Sequence, residues 1–150
     1  MPNGKGGSQE DRELERIRER IKKLENFKDL KPEEYALPRG IADILAKNEN
    51  KMKTAQLRKF FAKIKNIENK LRGKKDLDTL DEKVKNEMYM IVPELTYAWG
   101  RDLIDKYFFC IVTTIIPDQI KSVEDFKNFS RFMSALVAYR KVEESRRGQR

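Results

Sequence analysis

K-M-K-T-A-Q-L-R-K-F-F-A-K-I-K-N-I-E-N-K-L-R-G-K-K, residues 51–75, carries two patterns at once. Leu57, Phe60, Phe61, Ile64, Ile67 and Leu71 recur at three- and four-residue spacing, the period of one helical face. Thr54 stands where an N-cap hydroxyl belongs, and Gly73 where the helix would stop. Around that face lie ten basic residues and one acid, Glu68, for a net charge of +9. The full chain is +8, with 33 basic and 25 acidic residues, so the other 125 residues hold 23 basic against 24 acidic side chains. The basicity is therefore local. At about 100° per residue, Arg58, Lys65 and Arg72 fall on one line beside the apolar face, and Lys59, Lys63 and Lys70 point away from it.

The helical period continues on both sides. Residues 1–7 are Gly-rich and polar and read as a disordered tail. Ser8 with Asp11 opens a charged helix assigned to 8–31, with a narrow apolar seam of Leu14, Ile17, Ile21 and Leu24. That seam must pack either on the body of the chain or on a second copy. Pro32 ends this helix or opens a short turn through Tyr35, and Pro38 and Gly40 break the pattern again. Ile41–Lys47 reads as a short helix burying Ile41, Ile44 and Leu45, and Asn48–Asn50 as a turn. Downstream, Thr79 with Glu82 forms a capping box for a helix burying Leu80, Val84, Met88 and Ile91. From Pro93 one long helix is expected to about Ile115, with Leu95, Trp99, Leu103, Tyr107, Cys110, Ile111 and Thr114 inward. Gly100 inside it calls for close packing or backbone access. Pro117–Asp118 reads as a loop. Ser122 with Asp125 caps a last helix to about Glu144, burying Phe126, Phe129, Met133, Leu136, Val137 and Tyr139. The expectation is an all-α, single-domain bundle of five or six helices over 32–144, with a basic tail at 145–150.

Composition narrows the chemistry. The 150 residues include one cysteine and no histidine, which removes an internal disulfide, the commonest general base and the commonest zinc ligand. There is no Gly-rich phosphate loop, no nucleophile elbow and no metal-ligand spacing. The acids Asp76, Asp78, Asp81 and Glu82 oppose a helix dipole, and Cys110 lies on an apolar face. No catalytic residue, metal or cofactor is expected. The N-terminus lacks the apolar core of a signal peptide, and Tyr107–Ile116 is too short to span a bilayer, so a soluble, cytoplasmic protein is expected.

What remains is the positive track. Lys51 and Lys53 flank a helix start whose free N–H groups favour an anion. Arg58, Lys59, Lys65 and Arg72 extend it to about 25 Å at 1.5 Å per residue, a length that suits several phosphates along a strand. The plain alternative is a solvated charged face, although such faces usually mix signs. Phe60, Phe61, Phe126 and Phe129 are spaced as core residues, so contact with a nucleic-acid backbone is expected rather than base readout.

Three separated pieces then come together: K-x-T-x-Q-x-R-K-F-F from Lys51, P-E-L-T-Y-A-W-G-R from Pro93, and F-x-x-F-S-R-F-M-S-A-L-V-A-Y-R-K from Phe126. In this order they resemble the small helical, second subunit of the type III-A CRISPR Csm effector complex, over residues 40–142. Residues 1–38 lie outside the resemblance, so the first helix reads as an extension.

The resemblance implies a non-catalytic subunit. Copies stack head to tail between other Csm subunits and line the groove that holds guide RNA paired to target RNA. They contact backbone without reading sequence, while target cleavage belongs to a neighbouring subunit. By motif position the RNA-binding candidates are Lys53, Gln56, Arg58 and Lys59, then Arg101, then Arg140 and Lys141. An interfacial ion pair is an equal alternative for Arg101, and Gln56 could equally cap or pack. Two other readings stay open. One is a stand-alone helical nucleic-acid-binding protein. The other is a structural module that self-associates, as a homodimer through the seam or by a helix swap at the Gly73–Asp78 loop.

Overall fold

The computed structural model describes residues 9–48 and 52–148. Among them the chain forms α1 (Gln9–Lys22), a 3-10 turn (Phe27–Asp29), α2 (Pro32–Tyr35), α3 (Ile41–Lys47), α4 (Thr54–Asn69), α5 (Glu82–Tyr89), α6 (Ile91–Gly100), α7 (Lys106–Asp118) and α8 (Val123–Gly148). The class is all-α, as expected. The described residues contain no strand, only an isolated bridge between Thr79 and Ser122. No described helix is long and apolar enough to cross a membrane. Among the described residues eight α-helices replace the five or six expected, because Pro32–Tyr35 closes a helical turn and the long helix from Pro93 is two helices.

The architecture is built on α8. Phe126, Phe129, Phe132, Met133 and Leu136 are fully buried along one side, and α3, α4, α2 and the 3-10 turn pack on it. The expected capping box is present at its start: Asp125 N–H donates to Ser122 Oγ at 3.1 Å, and Ser122 N–H donates to Asp125 Oδ2 at 3.1 Å. Its C-terminal end runs past Glu144 to Gly148, so residues assigned to a basic tail continue the helix. Ser8, expected to cap α1, and the Glu49–Asn50 part of the expected turn lie outside the described residues.

Polar side chains of α8 hold the irregular chain between α1 and α3. Asn128 Nδ2 donates to the carbonyls of Phe27 at 2.8 Å and Leu30 at 2.7 Å, and its Oδ1 accepts from Tyr35 Oη at 2.7 Å. Asp125 Oδ1 accepts from Lys28 N–H at 2.8 Å. Helix α1 ends at Lys22, well short of residue 31. Its seam of Leu14, Ile17 and Ile21 is buried, and α1 packs on α7 of the same chain. The Gly73–Asp78 loop is likewise tied to its own α8: Val123 and Glu124 N–H groups donate to the Asp78 and Asp76 carbonyls, each at 2.9 Å.

Several expected details shift. Thr54 is the first helical residue of α4 and buried, with Lys53 at the cap position. Gly73 lies in the turn beyond α4 at φ +81°, where a glycine is favoured. Asp81, not Thr79, caps α5, accepting from Val84 N–H at 2.9 Å. Pro117 lies inside the last turn of α7 rather than in a loop.

The largest change is the break at 101–105. Asp102 adopts a left-handed φ of +67°, and Asp105 caps α7 by accepting from the N–H groups of Tyr107 at 2.8 Å and Phe108 at 3.1 Å. The turn resets the helical phase. Ala98, Ile104, Phe108, Val112, Ile115 and Ile116 are buried, while Trp99 is exposed and Leu103, Tyr107, Cys110 and Thr114 are only half-buried. A side chain at Gly100 would meet open space, so close helix packing is not the reason for the glycine.

Two outcomes test this account. Asn128→Ala removes the partner of the buried Leu30 carbonyl and of the Tyr35 hydroxyl, while the Phe27 carbonyl keeps the Leu30 N–H at 3.1 Å, and should lower unfolding free energy by roughly 1–3 kcal/mol in urea titration. A loss within about 0.5 kcal/mol would show that these groups find other partners. Burial pushes the Asp105 carboxyl above its ordinary range, against the lowering effect of its cap bonds. The unfolded chain therefore releases this proton at lower pH than the folded one, and the residue's contribution to stability falls as pH rises through the acid range. Asp105→Asn keeps a capping acceptor and should flatten that slope while matching wild-type stability at neutral pH. A variant with the wild-type slope would remove Asp105 as its source.

Candidate nucleic-acid interface

Helix α4 turns Leu57, Phe60, Ile64 and Ile67 into the core, and Leu71 follows them just past its end. Phe61 is half-buried, with Lys65 Nζ 5.9 Å from its ring centroid. Helix α8 runs antiparallel to α4: Ser130 Oγ donates to Glu68 Oε1 at 2.8 Å at one end, and Thr54 meets Glu144 at the other. The basic residues are thereby set on the outside, but they are not equivalent.

Three lysines of the second half have acids of their own. Lys63 pairs with Glu94 of α6 at 3.0 Å, Lys65 with Glu68 at 2.8 Å and Lys70 with Glu87 of α5 at 2.5 Å. These pairs are exposed, so each contributes about 0–1 kcal/mol to stability. Their consequence for binding is larger, because each acid offsets a charge that a phosphate would otherwise meet. Lys53, Lys59 and Arg72 are exposed and make no ion pair among the described residues. Arg72 stands alone at the far end, in a cleft with Lys65 and Lys127. Lys127 is itself paired with Asp76 at 3.0 Å.

The start of α4 is where the separate sequence pieces meet. Lys53 N–H donates to the Leu103 carbonyl at 3.3 Å, fastening the helix start to the 101–105 turn. Gln56 and Lys59 line a groove with Tyr97, Arg101 and the Lys63-paired Glu94, floored by Phe60, Ala98 and Leu103. Arg101 is exposed, with its guanidinium carbon 5.7 Å from the Tyr97 ring centroid and Nη1 3.4 Å from the phenol oxygen. On the other side Lys141 is exposed and pairs with Glu144 at 3.5 Å. Thr54, at longer range than a full hydrogen bond, then Lys141 and Arg58, hold the Glu144 carboxyl below the ordinary carboxylate range. Lys53, Gln56, Arg58, Lys59, Arg101 and Lys141 therefore surround one helix end.

Two candidates fall elsewhere. Arg140 is buried and donates from Nη1 to the Ala46 carbonyl at 2.6 Å, so it fastens α3 to α8 inside the fold. Arg140 follows Leu136 by four residues and Met133 by seven, so the helical period of the buried face already pointed it inward. Lys51 lies outside the described residues. Tyr97, which the sequence reading did not weigh, is 66% exposed in the groove. Its signal was its position four residues before Arg101 on one helix face. Among the described residues no group of three or more His, Cys, Asp or Glu side chains is placed to share a metal ion.

The charge partition has a direct consequence. Glu87→Gln with Glu94→Gln frees Lys70 and Lys63 and should raise affinity for heparin severalfold at low salt, read by isothermal titration. Unchanged affinity would mean that those lysines never face a bound polyanion.

A protein-family model described as Csm2 Type III-A matches residues 32–146. No curated protein and no solved structure matches the chain.

Proposed function

The chain belongs to the Csm2 Type III-A family and is a small subunit of a type III-A CRISPR effector complex, and we propose that its part there is to hold RNA rather than to cut it. In this reading the chain grips the phosphate backbone of guide RNA and target RNA without sequence preference. It also bridges neighbouring Csm subunits in support of antiviral defence. The observation that carries it is the convergence of Lys53, Gln56, Arg58, Lys59, Arg101 and Lys141, from three distant segments, around the start of α4. A helix start ringed by cations favours a string of anions, and although Lys141 and Arg58 share the Glu144 carboxyl, Lys53 and Lys59 make no ion pair among the described residues. The second half of α4 contributes less, because Lys63, Lys65 and Lys70 already face acids.

The test compares two triple variants on single-stranded RNA by fluorescence anisotropy at several salt concentrations. Replacing Lys53, Arg58 and Lys59 by Gln should weaken binding at least tenfold at low salt. It should also reduce the slope of log affinity against log salt by about 2, since each lost phosphate contact removes about 0.7. Replacing Lys63, Lys65 and Lys70 should do markedly less. Both variants should keep the helical circular-dichroism signal. Equal effects, or none from the first set, would overturn the assignment of the interface to the start of α4.

A further inference from the structure

The groove beside the start of α4 is more than a charged edge. It is open to solvent and offers about 340 Å³, at the small end of the roughly 300–1,000 Å³ of small-molecule sites. One wall is the exposed ring of Tyr97, the floor is apolar, Gln56, Lys59 and Arg101 stand at the rim, and the one carboxylate of the lining, Glu94, is neutralised by Lys63 at 3.0 Å. Phosphate contact alone does not call for an aromatic wall or an apolar floor. A nucleotide does, since its base has apolar faces and a polar edge and its phosphate is anionic.

We propose that this groove takes one unstacked nucleotide of an RNA strand, with the base laid on Tyr97 and the flanking phosphate between Lys59 and Arg101. The Arg101 guanidinium, already beside the ring and hydrogen-bonded to its hydroxyl, extends the flat surface, as arginine planes do for exposed bases. Gln56 presents an amide able to donate to or accept from any base edge. Stacking of this kind tolerates every base, so it adds affinity without sequence choice. A sequence-independent strand is thereby held in register at one position. The inference rests on the RNA-holding reading above, and its test separates the two.

The full chain is titrated with a uridine-rich RNA strand and with the same strand carrying abasic ribose at alternate positions. Wild type should bind the abasic strand about tenfold more weakly, in the range found when one stacking partner is removed. Tyr97→Ala should lose about tenfold on the intact strand and no longer distinguish the two strands. Tyr97→Phe, which keeps the ring, should behave as wild type. If wild type binds both strands equally with a normal salt dependence, the nucleotide site is overturned while the phosphate interface stands. The same holds if Tyr97→Ala keeps the wild-type ratio, which would leave the ring to contact another protein subunit. If wild type binds neither strand at low salt, both readings fall.

Discussion

Chain that leaves regular helix inside a core still has carbonyl and N–H groups to satisfy, and between α1 and α3 these are satisfied by α8. Asn128 covers two carbonyls and a phenol and Asp125 an N–H, and beyond this segment Arg140 covers the carbonyl of Ala46 in the last turn of α3. Tyr139 Oη adds a bond to the Ala36 carbonyl at 2.7 Å. The apolar stripe of the same helix carries Phe129 and Phe132, whose rings meet Phe27 edge-on at 5.8 and 5.7 Å. Burial supplies the driving force without direction, and the polar contacts supply the direction. The segment from Phe27 to Ala46 is therefore fixed at several points along α8 and cannot slide without leaving a buried group unpaired.

With α8 fixed in this way, α4 has one place to lie, antiparallel along it. Its apolar face is then committed to the core and its cations to the surface. Surface position alone does not make a cation available. Glu87 and Glu94 come from α5 and α6, which pack beside α4, and they meet Lys70 and Lys63. The basic stretch that looked uniform is thus divided by its neighbours into a paired half and an open end.

The sequence made some of this legible and not the rest, for physical reasons. Ile41–Lys47 and the Ser122–Asp125 box depend on local spacing and capping, which are written in adjacent residues. The apolar residues Leu80, Val84, Met88 and Ile91 fell on the buried face as their period required. The break after Gly100 escaped notice because apolar residues continue across it. Its sign was Asp102 and Asp105, small acids able to adopt a left-handed turn and to cap the next helix. Lys65 with Glu68 was readable at a three-residue interval. The pairs Lys63–Glu94 and Lys70–Glu87 join different helices and depend on packing that no local pattern encodes. The same limit hid the open groove beside Tyr97, whereas Arg140 stood on the buried face by its spacing from Met133 and Leu136.

The missed break is also what assembles the candidate site. Had α6 and α7 been one helix, Arg101 and Leu103 would have continued along a straight axis past the start of α4. The left-handed Asp102 instead folds the chain back, so that the Leu103 carbonyl accepts from Lys53 N–H, while Arg101 keeps its helical place four residues after Tyr97 on the groove. The 101–105 turn thus satisfies one free donor at the start of α4 while bringing a guanidinium to the same place. Gly100 fits this role better than a packing role, since a side chain there would meet nothing and the residue instead ends α6 just before the turn. Fold and interface therefore share a single constraint at this point. The geometry that closes the turn is the geometry that aligns Gln56, Lys59 and Arg101 along one groove.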